Sequence, residues 1–160
     1  MKHVFNYFVA VLFALLLAGC AVQTTTDPSV GKADYQKFVT WLNNSEDAAD
    51  NDDWFEKEFI KHPEPTTAEE EEERLRTVLD KRFNEIIRSA KALTLRHVEV
   101  RRLRDISVEM TELSKHIILA MYVPTKENVE KMEALMPRFE QLELEGEVLS
   151  EKLDKAFGKD

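Results

Sequence analysis

Cysteine, histidine and closely spaced arginine are the residue types through which this 160-residue chain could do chemistry. Cys20 is the single cysteine, so no disulfide framework is possible, and an unpaired thiol in an oxidising compartment is a liability unless it is modified. Beyond the first few residues the histidines are His62, His97 and His116. His116 follows Glu112 by four positions, one helical turn, which is a spacing two metal ligands can use. Two ligands do not make a site, so no metal is expected, and His97 is expected to pack at a helix edge beside Leu93 and Val100. Arg96, Arg101, Arg102 and Arg104 form the densest cationic stretch and are the candidate binding patch, suited to anionic lipid, glycan-linked phosphate or an acidic protein face. Trp41, Trp54, Phe55 and Phe59 form an aromatic set that reads either as core or as an exposed binding surface.

Catalytic signatures are missing from the chain. It holds no Gly-x-Ser-x-Gly elbow, no glycine loop for phosphate, no His-Glu-x-x-His and no cysteine cluster. Carboxylates are so abundant that a pair of them carries no information about acid–base chemistry, which needs a cleft that pushes two pKa values apart. No catalytic residue and no cofactor is expected, and the chain reads as a non-enzyme.

The first nineteen residues explain what becomes of Cys20. A basic start (Met1, Lys2, His3) leads into an apolar run from Val4 to Leu16, followed by Leu17-Ala18-Gly19-Cys20. That is the layout of a secretory signal, and the run is shorter than the roughly 20 apolar residues that span a bilayer. Leu17-Ala18-Gly19-Cys20 resembles the lipobox of bacterial lipoproteins, in which small residues precede a cysteine that receives a diacylglyceryl thioether. The resemblance implies cleavage before Cys20, lipid on Cys20 and attachment to a membrane through that lipid. Two or three acyl chains on one residue anchor almost permanently, because each buried methylene contributes about 0.8 kcal/mol. In lipoproteins of two-membrane bacteria an aspartate after the cysteine resembles an inner-membrane retention signal. Here the position is Ala21, which implies the outer membrane, facing the periplasm.

The elements that must carry these residues are helical. Glycine (4) and proline (5) are scarce and 33% of residues are charged, a balance of long helices rather than turn-rich strands. Three units are expected: a signal at 1–19, a lipidated start and flexible tether at 20–32, and a helical bundle domain at 33–160. Tyr35, Phe38, Val39 and Leu42 line one face of a first helix starting near Lys32. Asn43 to Asp53 is too acidic to pack and reads as a loop or frayed turn, before a short helix carrying Trp54, Phe55, Phe59 and Ile60 that ends ahead of Pro63. Thr66 or Thr67, with Glu69 and Glu70 three residues on, makes a capping box. From Leu75 through Leu79, Phe83, Ile86, Ala90 and Leu93, and on through Leu103, Ile106, Met110, Leu113, Ile117 and Met121, the apolar spacing permits one helix of more than 50 residues, or a break near Arg101-Arg102. Pro124-Thr125 starts a last helix with Pro137 inside it and Gly146 on its seam. The fold class is all-α: an elongated antiparallel bundle of three to four helices with a long central helix.

Charge is segregated along the chain. Residues 21–73 carry fifteen acidic and four basic side chains, residues 74–104 ten basic and three acidic, and residues 105–160 thirteen acidic and seven basic. Either the bundle pairs the basic middle with the acidic flanks, or the arginines stay free as a patch. A net charge of −9 and an extracytoplasmic address exclude nucleic acid as a partner. The function class expected is a non-catalytic envelope adaptor or accessory lipoprotein acting through a protein partner. The alternatives are a self-associating scaffold or a self-protection lipoprotein of the immunity or exclusion type.

Overall fold

The computed structural model describes residues 24–49 and 52–158, and these form an all-α bundle. In chain order the helices are α1 (Pro28–Ala49), α2 (Asp52–Phe59), α3 (Ala68–Lys91), α4 (Val98–Tyr122) and α5 (Lys126–Phe157). Helices α3, α4 and α5 form two successive antiparallel hairpins with α4 in the middle. α1 packs on α3, α4 and α5, while among the described residues α2 rests on α3 only.

Local capping chemistry explains most of the boundaries. Thr67 caps α3 by accepting from Glu70 N at 3.2 Å, and the Glu70 carboxylate returns to accept from Thr66 N at 2.7 Å. Thr125 caps α5 in the same way, accepting from Asn128 N at 3.2 Å. α1 begins four residues ahead of the expected Lys32. Asp27 accepts from Ser29 N at 2.8 Å, and Pro28 occupies the first helical position, where a missing N–H costs nothing. Residues 28–32, assigned from composition to a flexible tether, are therefore helical. The acidic run after Leu42 is also helical as far as Ala49, rather than a loop from Asn43.

The expected long central helix is two helices. α3 stops at Lys91 and α4 starts at Val98, with the corner at 92–97, ahead of Arg101-Arg102 and without glycine or proline. Contacts from the start of the chain hold this corner. The Asp34 carboxylate of α1 accepts from Arg96 N at 2.5 Å and from His97 N at 2.8 Å. Thr25 pairs with the corner as an isolated β-bridge: Thr25 N donates to Arg96 O at 2.9 Å, and Val98 N donates to Thr25 O at 3.0 Å. Four backbone groups that an unbroken helix would satisfy internally find partners outside it, so the break leaves none of them bare. Leu95 drops into the core, 3% exposed.

That core joins Tyr35, Phe38 and Trp41 of α1 to Ile87 and Ala90 of α3, Val100, Leu103 and Val108 of α4 and Leu153 of α5. At Gly31 α1 packs tightly against the end of α5. A Cβ there would lie 2.7 Å from Phe157 Cε2 and 2.9 Å from His97 Cδ2, so only glycine fits without a shift. Gly146, on the seam of α5, is looser, since its Cβ would meet only Ile106 Cγ2, at 3.3 Å.

Candidate functional site

The structure deals the four candidate arginines to different tasks. Arg102 points at α5 and grips Glu145 with two bonds, Nε to Oε1 and Nη2 to Oε2, both 2.7 Å. This pairing raises the Arg102 pKa and lowers that of Glu145. Arg104 turns back toward the corner, where it bonds Asp105 Oδ1 at 2.6 Å and the Leu93 carbonyl at 3.4 Å. Arg101 is half-buried, and Arg96 is exposed in the corner itself. Successive helix positions turn by about 100°, and Arg102 therefore faces away from the other two arginines of α4, Arg101 and Arg104.

Charge segregation is largely resolved between helices. Lys81 of α3 bonds Glu58 of α2, Lys91 pairs with Glu112 and Lys115 with Asp80 across α3 and α4, and Arg138 holds Glu109 bidentately across α4 and α5. Lys152 pairs with Glu99 near the end of the same hairpin. Glu58 is buried, at 5% exposed, but the other pairs lie open to water and contribute under about 1 kcal/mol each, so their main effect is on helix register.

The aromatic set splits. Trp41 is core, 9% exposed, and its indole N–H donates to Ser89 Oγ at 2.9 Å. Trp54, Phe55 and Phe59 fasten α2 to α3, with Arg82 over the Trp54 ring at 4.7 Å and Arg74 over Phe59 at 5.3 Å. Arg74 also donates to the Phe59 carbonyl at 2.6 Å.

His97 is more deeply set than an edge residue. It is 4% exposed, stands edge-on to Phe157 at 5.4 Å, and its Nδ1 has no hydrogen-bond partner. His116 has a lowered pKa because burial disfavours its cation and because Lys131, Lys115 and Arg76 lie near. Its expected companion Glu112 is turned to Lys91 at 3.5 Å. Among the described residues no three His, Cys, Asp or Glu side chains are grouped to hold a metal ion. Cys20 lies outside the described residues.

What the sequence reading missed is a groove between α4 and α5 of about 860 Å³. Its apolar wall is Val98, Leu144, Val148 and Leu149, of which Leu144 and Val148 are each 63% exposed. The Arg102–Glu145 and Lys152–Glu99 pairs rim it. The one signal in the sequence was the four-residue spacing of Leu144 and Val148, off the Leu142, Leu149, Leu153 seam that packs inward.

No helix among the described residues is long and apolar enough to cross a membrane. Comparison with curated proteins and with solved structures gives no match. The family described as Uncharacterised lipoprotein PM1805 matches residues 32–158, which cover the bundle from the second turn of α1 past the end of α5, and the chain belongs to that lipoprotein family.

Proposed function

We propose that the chain is a non-catalytic adaptor of the bacterial envelope, acylated on Cys20, held at the outer membrane facing the periplasm, and acting through protein–protein contact. The observation that carries this reading is the groove between α4 and α5. Apolar side chains as large as Leu144 and Val148 stand mostly in water there, between two ion pairs, in the pattern of an apolar contact centre with a polar rim. The partner that fits is an envelope protein offering an apolar helical ridge flanked by charges of both signs.

The test places a photo-crosslinking residue at Leu144, and for comparison at Glu130, which is exposed near the start of α5. A single envelope protein captured from position 144 and not from 130, and lost in Cys20→Ala, supports an anchored adaptor. Equal capture at both positions refutes the groove as the contact. Products made only of this chain replace the adaptor with a self-associating scaffold.

A further inference from the structure

The bridge at Thr25 limits how far the bundle can stand from its anchor. Five peptide steps separate Cys20 from Thr25, at most about 18 Å of extended chain. Thr25 is bonded to Arg96 and Val98, so this short reach ends on the corner between α3 and α4 and not on the flank of a helix. Asp27 then starts α1, whose Gly31 and Tyr35 pack on Phe157 at the end of α5. The corner, the start of α1 and the end of α5 therefore make one end of the bundle. From it α4 runs 25 residues to Tyr122, a rise of about 37 Å.

Charge at that end is mixed. The basic stretch 74–104 runs the length of α3 before it reaches the corner, and the last turns of α5 bring Glu147, Glu151 and Asp154 back to the same end, so that end carries both signs. Arg96, exposed and without an ion pair among the described residues, puts a cation on the corner. Basic groups are drawn to a phosphate-bearing lipid surface and acidic ones are pushed from it. Reach, more than charge, favours the corner end against the lipid.

We infer that the corner end of the bundle rests against the lipid headgroups, and that α4 and α5 stand away from the membrane, carrying Met121 and Tyr122 outward. This orientation rests on acylation of Cys20, the anchor proposed above. It sets the groove, which opens at Val98, beside the membrane surface and gives the exposed Met121 and Tyr122 to whatever lies farther into the compartment.

The experiment reconstitutes the full-length processed protein into vesicles of phosphatidylethanolamine and phosphatidylglycerol containing a headgroup-nitroxide lipid. Thr94→Cys and Tyr122→Cys are each labelled with a fluorophore, and flotation and label uptake by the unmodified chain are measured beside them. Quenching at 94 should exceed that at 122 at least about threefold, because α4 carries Tyr122 about 37 Å away. Equal quenching in a protein that floats means a bundle lying flat and overturns the orientation alone. An unmodified chain that takes up label at Cys20, or fails to float, overturns the anchor and the orientation with it.

Discussion

Replacing Asp34 with alanine should destabilise the fold more than any surface change, because one buried carboxylate holds the corner between α3 and α4. Asp34 is 2% exposed, and its Oδ2 accepts from both Arg96 N and His97 N. Alanine leaves two backbone donors without an acceptor. The His97 bond is buried and the Arg96 bond partly so, which lets water reach the second more readily than the first. An orphaned buried donor costs about 1–3 kcal/mol, so the pair sums to roughly 2–4 kcal/mol. Against a total stability on the order of 5–15 kcal/mol, that is a large fraction. Urea unfolding followed by helical circular dichroism measures it, with the denaturant slope unchanged. Asp34→Asn keeps an acceptor oxygen and loses only the charge assistance, so it should cost about half as much or less. A cost under about 0.5 kcal/mol for alanine would mean that Thr25 and Leu95 hold the corner without Asp34, and the reasoning fails.

Other substitutions test separate parts of the structure. Gly31→Ala should lose about 1–3 kcal/mol by overpacking against Phe157 and His97. Gly146→Ala sets up to about 1 kcal/mol of helix propensity against a 3.3 Å contact with the buried Ile106, so in the same unfolding assay it should cost less than Gly31→Ala. Hydrogen bonds from Lys61 and Lys81 lower the Glu58 pKa from 4.5 to about 2. A depressed carboxylate pKa stabilises above the unfolded value, so the hold of α2 on α3 should weaken as pH falls from about 4.5 toward 2. Trp54 emission in a Trp41→Phe background reads this, and Glu58→Gln should flatten the profile. A double-mutant cycle on Arg102 and Glu145 should return under about 1 kcal/mol, since both side chains are well exposed.

The parts of the fold legible in the sequence are those whose causes are local. Thr67 with Glu70, and Thr125 with Asn128, cap helices over three residues, and Pro124 marks the last corner. The sequence offered a break only as an alternative and near Arg101-Arg102; its place at 92–97 was illegible because the acceptor, Asp34, stands 62 positions before Arg96. The apolar spacing runs unbroken through it, and only the structure shows that Leu95 rather than Leu93 is the more deeply buried. The parting of Arg102 from its neighbours was hidden for a related reason. Sequence places Arg101, Arg102 and Arg104 side by side, but Glu145 and Asp105 decide where two of them point. Leu144 and Val148 were overlooked because a seam already fitted α5, and apolar residues off the seam look like scatter until the neighbouring helix is in place.

The Thr25 bridge also determines where mechanical load enters the molecule. In a lipid-anchored protein, a pull between membrane and body passes through the residues before Thr25. The first bonds to bear it are the two that tie Thr25 to Arg96 and Val98, followed by the Asp27 cap of α1. These bonds lie at the end of the bundle, so a pull through the start of the chain should reach them before α1 and before the long α4–α5 seam. Force spectroscopy on the anchored chain would register an early, small rupture ahead of the main one. The anchor thus ends in a mechanical fuse, whose failure leaves the groove between α4 and α5 intact.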